Sequence, residues 1–70
     1  MKGLYSAAIP VLRECVSKSP QQAVYHFHLG MALLASGEKS LGEEQVLAAL
    51  KLGLTGDDAQ QARMAIAQPD

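Results

Sequence analysis

Apolar side chains recur at Ala8, Leu12, Cys15 and Val16, then at Phe27, Leu29, Leu33 and Leu34, and again at Val46, Leu47, Ala49 and Leu50. Steps of three and four residues keep side chains on one face of an α-helix, whereas a half-buried strand would alternate every second residue. The pattern therefore predicts helices and gives strands no support. The second run is apolar around nearly its whole circumference. Such a helix must be covered on more than one side, or its uncovered part is a binding surface.

Polar punctuation divides the pattern. Three capping boxes, Ser19-Pro20-Gln21-Gln22, Ser40-Leu41-Gly42-Glu43 and Thr55-Gly56-Asp57-Asp58, offer a hydroxyl to free amides and a returning side chain three residues later. Gly37 and Gly53 sit where a left-handed residue ends a helix, and Pro69 stops the last one. Pro10 lacks an amide, so a start near Ser6 keeps it within a first turn. The expected helices run from Ala7 to Ser17, Pro20 to Ser36, Leu41 to Leu52 and Gly56 to Ala67.

Sliding the chain against itself by roughly 34 residues aligns Gly3 with Gly37, Ser6 with Ser40, Ala8 with Gly42, Leu12 with Val46, Cys15 with Ala49 and Val16 with Leu50. The first and third helices are thus one element used twice. The stretch "AVYHFHLGMALLASGEKSLGEEQVLAAL" resembles a tetratricopeptide repeat. Leu29-Gly30 matches that family's Leu-Gly pair, Leu33 its large residue one turn on, and Gly37 its inter-helix turn. Gly42 and Ala49 match its small residues and Val46 the large one between them. Upstream, Ala8, Leu12, Cys15 and the terminal Pro20 are similar to the back half of a preceding repeat.

The resemblance implies an all-α fold of about four helices stacked as a short solenoid. Residues 1–19 would be the second half of an incomplete repeat, 20–54 one full repeat and 55–68 a capping helix. Departures are His26 for the usual first-helix aromatic, Gly42 for the usual Ala and Leu54 for the closing proline. Packing gives the same positions a reason: small residues let backbones approach while Leu12, Leu29, Leu33 and Val46 fill the spaces between. In the last helix, Ala59, Ala62 and Ile66 are expected to turn inward, leaving a polar outer face where stacking stops.

Composition narrows the function. Hydrophobic residues make up 49% of the chain but aromatics only 4%, which suits closely packed helices. Six Lys and Arg against seven Asp and Glu leave a net charge of -1, too little for a nucleic-acid footprint or a cationic membrane face. Pro10, Arg13 and Glu14 interrupt the opening apolar stretch, against a signal peptide, and no apolar run is long enough to span a bilayer. Cys15, the single cysteine, permits no internal disulfide and leaves the compartment open, a reducing cytoplasm being the default.

Candidate chemistry is sparse. His26 and His28 point about 200° apart around a helix, whereas shared metal ligation wants a spacing of three or four. Cys15 falls on a small packing position, and Glu43-Glu44 and Asp57-Asp58 read as helix-start acids suited to the macrodipole. Gly37-Glu38-Lys39-Ser40 lacks the remaining glycine spacing and preceding strand of a phosphate loop. The expectation is a non-catalytic protein-interaction module without cofactor or metal. The alternative is a small helical-bundle metal or enzymatic protein using His26, His28 and Cys15.

By resemblance, the first helix of a repeat lines a concave groove, here Val24, Phe27, His28, Met31, Leu34 and Ala35, an apolar stripe fit for an apolar or amphipathic protein segment. The rival expectation is that this stripe is core beneath an adjoining helix. The incomplete first repeat leaves Leu4, Tyr5, Ala8 and Leu12 without their usual cover, a surface for self-association into a homo-oligomer.

Overall fold

The computed structural model describes the backbone of residues 2–67 and the side chains of residues 5–67. Four helices follow in order: α1 (Lys2–Lys18), α2 (Ala23–Ala35), α3 (Lys39–Lys51) and α4 (Gly56–Ala67). Among the described residues there is no strand, so the fold is all-α. Helix α4 has the expected bounds.

The ends of α2 and α3 are built alike. Gly37 has φ +95°, its amide donates to Leu34 O, and Glu38 N donates to Leu33 O at 2.8 Å. Gly53 has φ +99°, with Gly53 N bonded to Leu50 O and Leu54 N to Ala49 O, both at 3.1 Å. Each is a Schellman termination, which occupies carbonyls that the helix itself leaves open. In the second, Leu54 folds back to bury itself at 8% exposure in one cluster with Ala49. A proline there would have no amide for Ala49, which explains why Leu suits the position where the resembled repeat closes with proline.

The helix starts differ from the capping-box expectation. Ser19, Pro20, Gln21 and Gln22 form a turn closed by Gln22 N to Ser19 O at 3.1 Å, so α2 begins at Ala23 rather than Pro20. Proline's fixed φ favours the second turn position as much as a helix start. Helix α3 begins at Lys39 because Glu38, the last residue of the preceding Schellman motif, already accepts Gly42 N at 2.8 Å. The turn leaves Ser40 inside the helix, and neither Gln22 nor Glu38 makes a side-chain cap bond. Glu43 and Glu44 consequently lie beyond the first turn of α3, while Asp57 and Asp58 do occupy the first turn of α4.

Helix α1 also departs from expectation. It starts at Lys2 rather than Ala7 and carries Pro10 in its interior, where the Ser6 carbonyl has no amide to accept.

Helices α2 and α3 form the tightest pair. A Cβ placed on Gly30 would meet Val46 Cγ2 at 2.6 Å and Gly42 O at 2.9 Å, and one on Gly42 would meet Leu34 Cγ at 2.6 Å. As residue numbers rise in α2 they fall in α3, so the pair is antiparallel with its closest approach at two glycines. Helix α4 packs on α3 and on α2, whereas among the described residues α1 packs on α2 alone. Phe27, Val46, Ala49, Leu54, Ala59 and Ala62 make the core, flanked by Ala23, Met31, Leu34, Leu50 and Ile66. The expected inward face of α4 is therefore present.

Candidate interaction surface

Helix α2 contacts all three other helices, so the part of its circumference left open defines what it can offer outside. Phe27, Leu29, Gly30, Ala32 and Leu33 are buried. Val24, His28 and Ala35 are exposed and Met31 is half-buried; with spacings of four, three and four they form one stripe along the helix. Val24 is 41% exposed, and His28 leans against Phe27 with ring centroids 5.5 Å apart.

Of the six residues expected to line a groove, the structure thus keeps four on one open stripe and moves one into the core. Phe27, at 4% exposure, is clustered with Val46, Ala49, Ala59 and Ala62, the outcome of the rival core expectation for that residue. Leu34 is half-buried and lies against Gly42 at the helix crossing. The physical reason is the width of the stripe. At 100° per residue, Phe27 and Leu34 sit on the side of α2 that α3 and α4 cover.

The positions expected to pack in the repeat divide between the helices. Leu29, Gly30, Leu33, Gly42, Val46 and Ala49 are buried, and Gly37 takes the turn conformation. Ala8, Leu12 and Cys15, their counterparts in α1, are only half-buried, and between residues 5 and 18 α1 has no fully buried side chain. Tyr5 and Val11 stand out, at 43% and 64% exposure. Leu4, the remaining member of the expected self-association surface, lies outside the described side chains.

His26 has a structural task that sequence reasoning missed. Its Nε2 lies 2.7 Å from Pro20 O and its Nδ1 2.7 Å from the Gln45 side-chain amide, so one imidazole ties the α1–α2 turn to α3. Pro20 O can only accept, so Nε2 donates to it, while Nδ1 faces the Gln45 side-chain oxygen Oε1. His28 lies on the outer stripe and Cys15 is half-buried on α1. Among the described residues, no group of three or more His, Cys, Asp or Glu side chains is placed to hold a metal ion.

A second concavity lies on another side of α2. Leu29 and Leu33 form its floor, Arg13 and Val16 of α1 one lip, and Leu41 and Gln45 of α3 the other, enclosing about 320 Å³. Among the described residues α1 packs on α2 and not on α3, which leaves the groove between them. Among the described residues no helix is long and apolar enough to cross a membrane. Comparison with known protein families, with curated proteins and with solved structures gave no match.

Proposed function

We propose that this chain is a non-catalytic protein-interaction module of tetratricopeptide-like design, which binds an apolar or amphipathic protein segment along the open stripe of α2. The observation that carries the reading is the stripe itself: Val24, His28, Met31 and Ala35 lie in register on α2, three of them exposed and Met31 half-buried. A helix-in-groove partner reads such i, i+4, i+7 spacings directly, and Met31 supplies an adaptable contact. Successive packing of α1 on α2, α2 on α3 and α4 on both α3 and α2 supports a stacked arrangement, as does the reuse of one helix design in α1 and α3.

The test is a titration of labelled protein with a synthetic amphipathic helical peptide bearing apolar anchors at i, i+3 and i+7. Resonance shifts should centre on Val24, His28, Met31 and Ala35, and Val24→Glu should abolish them while leaving the helical spectrum intact. Absence of binding, or shifts centred elsewhere, would remove the support for this surface.

A further inference from the structure

We infer that the groove between α1 and α3 is a binding site for a small apolar carboxylate, whose hydrocarbon body lies over Leu29 and Leu33 and whose carboxylate meets Arg13 and Gln45. Val16, Leu29, Leu33 and Leu41 supply the apolar lining, and the remaining two residues, Arg13 on the α1 lip and Gln45 on the α3 lip, are polar. A concave, mostly apolar site with a few polar groups is the usual form of a small-molecule pocket, and 320 Å³ falls at the small end of the usual size range.

Charge selects the ligand. No acidic side chain is among the residues lining the groove, so Arg13 carries the only charge there. Among the described residues Arg13 has no ion pair, and its sequence neighbour Glu14 is held by Lys18 at 3.1 Å. A guanidinium is a planar fork of donors that matches a carboxylate bidentately. Gln45 turns its Oε1 toward His26 Nδ1 at 2.7 Å, which leaves its amide nitrogen as a second donor on the facing lip. Donors on both lips and no anionic acceptor between them complement an anion.

Size limits what that anion is attached to. Leu29 and Leu33 are four residues apart, so the floor is about 6 Å long, one helical turn. A docked helix is read through anchors spread over two turns, i to i+7, and would overrun such a floor. A bare inorganic anion would leave the apolar lining unused. A hydrocarbon chain or ring ending in a carboxylate meets both requirements, with Leu41, 44% exposed at the lip, placed against its side.

Titration of the labelled intact chain with octanoate, followed by NMR, tests the inference, with octanol as the chain without the charge and acetate as the charge without the chain. Octanoate should saturably shift the methyl resonances of Val16, Leu29, Leu33 and Leu41 and the guanidinium resonance of Arg13. It should bind about tenfold more tightly than octanol, as expected for one charge-assisted contact, and acetate should give no saturable shift. Arg13→Gln should remove the preference for octanoate over octanol, and Leu41→Asp should abolish binding, both with unchanged helicity. Equal binding of octanoate and octanol, saturable binding of acetate, shifts centred elsewhere, or octanoate binding untouched by either variant overturns the inference. So does a groove that responds to an acidic amphipathic peptide and not to octanoate, which would assign it to a protein partner. Val24→Glu should leave octanoate binding unchanged, so this groove and the α2 stripe stand or fail separately.

Discussion

Gly30 and Val46 are in contact through the absence of a side chain: a single carbon added to Gly30 would sit 2.6 Å from Val46 Cγ2 and 2.9 Å from Val46 N. Neither neighbour can retreat, since Val46 is fully buried and the second atom is backbone. Gly42 stands in the same relation to Leu34, with Leu34 N 2.9 Å from the position a Cβ would take.

Gly30→Ala and Gly42→Ala should therefore both destabilise the fold. Alanine brings about 1 kcal/mol of helix propensity over glycine, but overpacking a close crossing costs about 1–3 kcal/mol. The second variant is the sharper case, because alanine is what the resembled repeat usually carries there. Thermal unfolding followed by circular dichroism should show a lower midpoint; a rise in either variant would mean that the helices cross less closely than described.

Leu54 combines two contributions that separate variants can resolve. Leu54→Ala loses buried surface next to Ala49 and should cost about 2 kcal/mol, the low end for a leucine truncation because the site is at the edge of the core. Leu54→Pro also removes the amide that Ala49 O accepts and should be the more destabilising. Chemical denaturation gives the order, and a proline variant at least as stable as the alanine variant would contradict the Schellman assignment.

The His26 bridge should appear as coupling. His26→Ala and Gln45→Ala each lose a bond worth about 0.5–1.5 kcal/mol. In the double variant the costs should fall short of additive by about that amount. Additive losses in a urea-unfolding cycle would show that the imidazole and the amide do not depend on each other.

Pro10 interrupts an exposed edge helix, so Pro10→Ala should stabilise the protein, by up to about 3 kcal/mol where the preceding turn is fully formed. It restores an amide to the Ser6 carbonyl without crowding a neighbour, since Pro10 is exposed. The readouts are increased helicity and slower amide exchange in α1. A loss of stability would indicate that the proline holds a bend the packing of α1 on α2 requires.

The fold was largely legible in the residues for a local reason. Gly37 and Gly53 mark positions where positive φ is needed, and Leu29, Gly30, Leu33, Gly42, Val46 and Ala49 repeat a size pattern that only close helix packing explains. Helix starts were less legible, because Ser19 and Ser40 offered hydroxyls that went unused. At Ser19 a proline turn came first, and at Ser40 the end of one helix had already supplied the start of the next. The groove residues were misread at Phe27 because periodicity shows that a side chain is apolar and in register, without showing which helix lies over it.

The order of small and large side chains along the chain determined by itself that it would be helical, where the α2–α3 turn would fall and which residues would meet at the crossing. These follow from backbone conformation and nearest-neighbour packing, which a short sequence window encodes. Only the tertiary structure decided that α4 covers Phe27, that α1 and α3 leave a groove between them over Leu29 and Leu33, and that His26 links Pro20 to Gln45. Those outcomes depend on how whole helices are set against one another in space, a relation among distant residues that no local pattern contains.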